Sequence, residues 1–567
     1  MNRPWWKDAV VYQVWPASFK DSTESGQGDI RGIIESLDYI QSVGADTLWL
    51  SPIYDSPQVD FGYDIRDYEN IYPPFGTVKN VDDLINNCHE RGMKFLMDLV
   101  VNHTSDQHKW FQESRSSKTN PKRDWYIWRP ARYDREGRRC PPNNWRSNFS
   151  GSTWTWDETT QEYYLHLFAS SQPDLNWDCR ALREAVYNSA MRFWLNKGID
   201  GFRIDTMTIF SKNTEFPDAP VSDPTSQYQT GRVHYAHQPK VFEILREMNA
   251  LLSEYGDKMT VGEFGVLSDT DLALEYVSAS KHCVGMGFQF ETVCLGYSLN
   301  HWDVRPFTLG EFKETFGKWQ QFIDNNDGWT SVFLENHDIA RSVSRFGCDS
   351  PEFRSVSAKM LAMLQTTSTG TLFLYQGQEI GMTNLPASWS IEEYKDISSQ
   401  NYWKSVKKST NEKSILNLAI DNIRMVARDH ARTPMQWHDG LHGGFTTSKK
   451  GPWMRINDNY RDINVKQQSE DPYSVLSFWK QMLALRKQYS DIFVYGTWEY
   501  TDQANESTMT YVKSFRDQKA LVMLNFTKYP EPFIIPEEFS SAALKIVNVQ
   551  EWKQGTLGPF EGRVYIK

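Results

Sequence analysis

The stretch that decides the fold reads Gly198-Ile199-Asp200-Gly201-Phe202-Arg203-Ile204-Asp205-Thr206. Ile199, Phe202 and Ile204 give it the apolar content of a buried strand, and the charged pair Arg203 and Asp205 stands two residues apart. A strand alternates its faces, so both charges fall on the same side. Charges on an inward face are costly unless paired. One reading is a structural ion pair at a strand end. The other is a carboxylate held ready for chemistry by its guanidinium. The rest of the chain decides between them.

Working outward, this stretch is the fourth of eight strands alternating with helices. The others are Ala9–Trp15, Thr47–Leu50, Lys94–Val101, Met259–Glu263, Met286–Phe290, Ser331–Glu335 and Thr371–Tyr375. Apolar spacing predicts helices over 30–43, 80–91, 180–197 and 472–489. Alternation of this kind implies parallel pairing with right-handed crossovers, and eight such units make a (β/α)8 TIM barrel of the α/β class. The alternation stops over 104–173, a polar, Trp-rich insertion after the third strand, which reads as a functional lobe. A second irregular stretch covers 383–450. From 491 the pattern is strand-only, which predicts a small antiparallel β domain over 491–567. The barrel is then residues 1–103 together with 174–490.

Composition narrows the partners. A net charge of −11 disfavours nucleic acid and anionic membrane. No run approaches the ~18 apolar residues of a membrane span, and the N-terminus has no secretory h-region. The six cysteines show no metal-ligand spacing and no disulfide framework, so they read as free thiols in a cytoplasmic protein, a monomer or weak homo-oligomer. With 22 Trp, 27 Tyr and 31 Phe, the chain has more aromatic faces than packing needs, and such faces suit stacking on sugar rings.

The working groups of a barrel stand at the C-terminal strand ends, which here carry Asp98, Asp205, Glu263 and, just past the seventh strand, Asp338. Like charges converging in one cavity oppose folding, so such a cluster implies acid–base, nucleophilic or metal chemistry. His103 and His337 lie close enough in sequence to these acids to suggest a metal site. Arg203 beside Asp205 would compete with a cation, whereas a guanidinium keeps a nucleophilic carboxylate ionised. Chemistry without metal is favoured.

The segments GFRIDT (201–206), VGEFG (261–265), ENHD (335–338), DLVVNHTSD (98–106) and QPDLNW (172–177) resemble the five signature regions of the α-amylase family of glycoside hydrolases. RDHARTPMQW (428–437) and the N-terminal WWKDAVVYQVWPASFKD are similar to its α-glucosidase, oligo-1,6-glucosidase and fungal maltase members. The resemblance implies that Asp205 is the nucleophile, Glu263 the general acid/base and Asp338 the stabiliser of a retaining α-glucosidase acting on small α-glucosides. It also implies that Asp60, Tyr63, His103, Arg203, His337 and Arg428 hold the non-reducing glucose, with Phe168 and Gln172 of the inserted lobe completing the wall.

Two details refine the expectation. In similar enzymes a small or hydroxylated residue after the nucleophile goes with α-1,4 cleavage and Val with α-1,6 preference; Thr206 therefore points towards maltose-type substrates, with isomaltase, sucrase and transglucosylating activities as alternatives. Relatives often carry an acidic Ca2+ loop where this chain has Asp21-Ser22-Thr23-Glu24-Ser25-Gly26-Gln27-Gly28-Asp29. Only Asp21 and Asp29 remain of the alternating acids, so a weak Ca2+ site and a solvated turn both fit, and no cofactor is required. From a different class, a non-catalytic scaffold on a similar barrel would lack the full carboxylate set and carry a membrane helix.

Overall fold

The computed structural model describes residues 3–298 and 301–567. Eight parallel strands form one sheet: β1 (Val10–Val14), β2 (Thr47–Leu50), β3 (Lys94–Leu99), β4 (Gly201–Ile204), β5 (Met259–Gly265), β6 (Met286–Gln289), β7 (Ser331–Val332) and β8 (Thr371–Tyr375). Their order, β6-β5-β4-β3-β2-β1-β8-β7, is that of a barrel opened at one seam. Among the described residues no ladder joins β6 to the short β7, but Ser331 Oγ bridges the seam, donating to the Gly287 carbonyl at 2.9 Å. Every position of β1 and β8 is buried, as expected of strands covered on both faces, and this is why they read as apolar runs. Inside, Trp49, Phe288 and Phe373 pack with ring centroids 4.6–6.2 Å apart and give the polar strand ends an apolar floor.

Close backbone approach makes one glycine obligatory. A Cβ on Gly201 would lie 2.0 Å from the Met259 carbonyl oxygen, so the start of β4 can meet β5 only as glycine.

Between β3 and the helix that begins at Arg180 stands the inserted lobe. It holds a helix (Lys109–Ser116) and a three-stranded antiparallel sheet of Trp128–Arg129, Glu162–Leu165 and Trp154–Asp157, with Glu162–Leu165 central. Its apolar cluster includes Trp145, Trp154 and Leu165, but also Phe216 and Tyr235 from the segment after β4. The lobe is therefore cored partly by the barrel's own loop. The C-terminal sheet is antiparallel and five-stranded, in the order Thr497–Tyr500, Thr508–Phe515, Gln518–Asn525, Gly562–Ile566, Ala543–Val547.

Some expectations need correction. The predicted helix 30–43 is broken at Ser36, whose hydroxyl bonds back to the Gly32 carbonyl, giving Ile30–Glu35 and Leu37–Val43. The helix beginning at Arg180 carries a π segment over Tyr187–Arg192 before ending at Leu195. The stretch 383–450 is not wholly irregular: it contains the helices Ile397–Ser409 and Lys413–Val426, which pack on each other. The second has Leu416, Ala419, Ile420, Ile423 and Val426 at helical spacing, a signal present in the sequence. None of the described helices is long and apolar enough to cross a membrane.

Candidate active site

Register places the first charged group. In the β3–β4 ladder Arg203 stands level with Asp98, and Asp205 follows one step beyond the end of β4. Arg203 is almost fully buried. Its Nη1 donates to Asp98 Oδ1 at 2.9 Å and to Asp205 Oδ1 at 2.6 Å, while Nη2 donates to Glu263 Oε2 at 2.5 Å. One guanidinium thus faces three carboxyls. Asp205 and Glu263 sit on its two terminal nitrogens, side by side over the barrel axis.

Glu263 reaches this place through a bulge. The register between β5 and β6 shifts between Glu263 and Gly265, leaving Phe264 as the extra residue. The Phe264 ring occupies the space beside Gly287, where a Cβ would come within 2.2 Å of it. With Phe264 turned out, Glu263 points in. On the other side, Thr206 adopts φ 42°, ψ 37°, a left-handed conformation costly for a β-branched residue. This turn aims the Thr206 amide at Glu263 Oε2 at 3.4 Å and its hydroxyl at Asp205 Oδ2 at 3.2 Å. The turn needs Gly262 beneath it, because a Cβ there would meet Met207 Sδ at 2.0 Å.

A second cluster lies alongside. Arg428 donates to Asp338 at 3.2 Å, to Asp60 at 3.4 Å and to Asp396 at 2.5 Å. Arg432 donates to Asp338 at 2.8 Å, to Asp396 at 3.2 Å and to the His337 carbonyl at 2.9 Å. His337 receives the Gln13 amide at Nδ1, 2.7 Å, which leaves Nε2–H to face Tyr63 OH at 2.6 Å and Asp338 Oδ2 at 3.1 Å. His103 lies between the Tyr63 carbonyl, at 3.0 Å, and Gln172 Nε2, at 3.2 Å; the same Gln172 amide donates to Asp60 at 3.1 Å.

Charge balance separates the two clusters. Burial pushes Glu263 up to about 7, with Arg203 opposing and Asp205 and Asp338 assisting. Burial also raises Asp205 and Asp98, each to about 6, against the pull of Arg203. Three acids on one cation do not all ionise near neutral pH, and Glu263 is the one that keeps its proton longest. Asp338 behaves in the opposite way. Burial opposes its charge, but the His337 donor and the guanidiniums of Arg428 and Arg432 hold it well below the usual carboxylate range. His337 itself is driven to about 4 by burial, so it acts on Asp338 as a neutral donor.

These groups border a pocket of about 330 Å³ lined by Asp60, Tyr63, His103, Phe168, Asp205, Thr206, Glu263, Asp338 and Arg428. The candidate catalytic and sugar-binding residues read from the sequence fall in one place, in two layers, whereas Asp21 and Asp29 of the candidate Ca2+ loop lie elsewhere, bonded within their own turn and to Thr446. Arg203, His337 and Gln172 are buried behind the wall and touch the lining residues. Sequence reasoning passed over Asp396, Arg432, Phe149, Phe290, Cys294 and His301. Arg432 could have been found, since it lies four residues after Arg428 and helical spacing brings the two to one face. Asp396 lay in the stretch read as irregular, where it caps helix Ile397–Ser409 by accepting from Ser398 and Ser399 amides.

The model of the alpha-amylase catalytic domain matches residues 13–496. An alpha-glucosidase of Candida albicans is 50% identical over 568 residues, spanning 99% of this chain and 99% of its own. An oligo-1,6-glucosidase of Saccharomyces cerevisiae is 44% identical over 576 residues, spanning 99% of this chain and 98% of its own. The crystal structure of isomaltulose synthase from Erwinia rhapontici NX5 superposes with a TM-score of 0.93 at 36% identity, over 100% of this chain and 99% of that one. The chain belongs to the α-amylase family of glycoside hydrolases, and it is an enzyme of that family.

Proposed function

We propose that the chain is a retaining, exo-acting α-glucosidase that releases α-glucose from the non-reducing end of short α-glucosides such as maltose. The observation that carries this reading is the pair Asp205 and Glu263 on the two terminal nitrogens of one buried guanidinium. Asp205, ionised and oriented by Arg203, attacks the anomeric carbon. Glu263, protonated, gives its proton to the glycosidic oxygen as that bond breaks. The same glutamate, now a carboxylate, takes a proton from the water that opens the glucosyl ester. Two carboxyls standing ~5–5.5 Å apart serve this double displacement, whereas an inverting pair needs ~6.5–9.5 Å to admit the water at once.

The second cluster supports exo action. Arg428 ties Asp60, Asp338 and Asp396 together, which supports a pocket blocked on that side, with polar groups to take the hydroxyls of a terminal glucose. Tyr63 and Phe168 offer ring faces to it. A volume of about 330 Å³ suits a mono- or disaccharide. The fungal alpha-glucosidase and oligo-1,6-glucosidase relatives support the substrate class, and free thiols at all six cysteines support a cytosolic enzyme.

No cation is assigned to the loop 21–29. Asp21 accepts from the amides of Thr23, Ser25 and Gly26 and from the Thr446 hydroxyl, and Asp29 from Ser22 and the Gly32 amide. The oxygens a cation would use already face hydrogen-bond donors, which supports the reading that no cation is required.

Four outcomes test the reading. Asp205→Asn lowers kcat on p-nitrophenyl α-glucoside by roughly 10⁴-fold or more with the fold kept; an unchanged rate overturns the assignment. The profile of kcat/KM is a bell between about 6 and about 7, because Asp205 must be ionised and is lost as pH falls through about 6, while Glu263 must be protonated and is lost as pH rises through about 7. A rate that climbs steadily to pH 9 contradicts these roles. Thr206→Val removes the hydroxyl beside Asp205 and raises the isomaltose-to-maltose rate ratio; equal relative rates refute it. Dialysis against EDTA leaves hydrolysis within about twofold, and complete inactivation restored by Ca2+ would reverse the statement about the loop.

A further inference from the structure

The wall next to Glu263 carries a cation that the protein leaves unused. Beyond Glu263 the lining continues through Gly265 and Val266 to Arg232. A Cβ on Gly265 would lie 3.6 Å from Arg232 Nη2, so the guanidinium rests against the end of β5, two residues past the acid. Among the described residues it has no hydrogen-bond or ion-pair partner. Arg203 and Arg428, by contrast, each hold three carboxylates.

Arg232 is exposed, yet its backbone is firmly placed. It begins a short helix, Arg232–Tyr235, whose preceding Gly231 packs beneath Trp145: a Cβ there would come within 2.7 Å of the indole. Trp145 also stacks on His234 at 5.9 Å and 9° and packs against Tyr235 at 5.5 Å. Backbone bonds fix the rest, from Arg146 to the Gln229 carbonyl at 2.8 Å and from His237 to the Thr208 carbonyl at 2.8 Å. The lobe and the barrel together clamp the segment that presents the guanidinium.

We propose that Arg232 binds the hydroxyls of the leaving sugar and so sets preference for saccharide over non-saccharide leaving groups. The assignment rests on the α-glucosidase reading, since the residue that protonates the glycosidic oxygen faces the departing group, and groups beside it flank that group. Five N–H donors with no internal acceptor suit charge-assisted bonds to hydroxyl oxygens. Its role is specificity, with no part in bond breaking.

The test compares maltose with α-glucosyl fluoride, whose leaving group has no hydroxyls. In Arg232→Gln, kcat/KM for maltose falls roughly 10- to 100-fold, as loss of a charged hydrogen bond gives, while fluoride hydrolysis stays within twofold and Arg232→Lys recovers part of the loss. Equal falls on both substrates, or no change on either, overturn the proposal. Failure of the wild type to hydrolyse the fluoride would instead overturn the α-glucosidase reading, and this assignment with it.

Discussion

One buried guanidinium organises the site. Among the described residues Arg203 is the one cation paired with Asp98, Asp205 and Glu263, and its burial means that solvent does not screen them. Removing it would leave three acids to repel one another in an apolar barrel; adding a second cation would ionise all three. The imbalance is what gives two neighbouring carboxyls different proton affinities, and the alternating faces of β4 are what put Arg203 and Asp205 together.

Around this pair the backbone departs from regularity at two points. Thr206 takes a left-handed conformation and β5 bulges at Phe264. Strain of this kind persists only where the surroundings over-determine it. Here Gly262 and Gly287 make room for Met207 and Phe264, so the glycines of two ordinary-looking strands fix where the acids point. Each is explained by an atom that would otherwise occupy its Cβ space.

Much of this was legible in the sequence because barrel strands covered on both faces are short apolar runs, and their polar ends stand out. Asp205, Glu263 and Asp338 announced themselves as carboxylates following Phe202, Val261 and Leu334. The fold was legible for the same reason, down to the antiparallel C-terminal sheet, although a short helical turn at Glu537–Phe539 interrupts the strands expected there. What stayed hidden depended on long-range partners. Nothing near Asp396 in sequence shows that it meets Arg428 and Arg432, and nothing near Arg232 shows that Gly265 lies against it. The break at Ser36 is a local hydrogen bond that outweighs an otherwise continuous apolar stripe. Loops joined to a distant lobe take their shape from that lobe, as Phe216 and Tyr235 do in its core.

On the exo-acting reading, the tie of Arg428 to its three carboxylates makes the cavity a blind one, entered and left by the same opening. Traffic through it must be ordered: the first sugar freed has to clear the opening before a water or another hydroxyl can enter behind it. Glucose, formed at the blind end, departs last and by the route the next substrate takes. A build-up of free glucose would therefore slow the enzyme by occupancy alone, with no separate regulatory site.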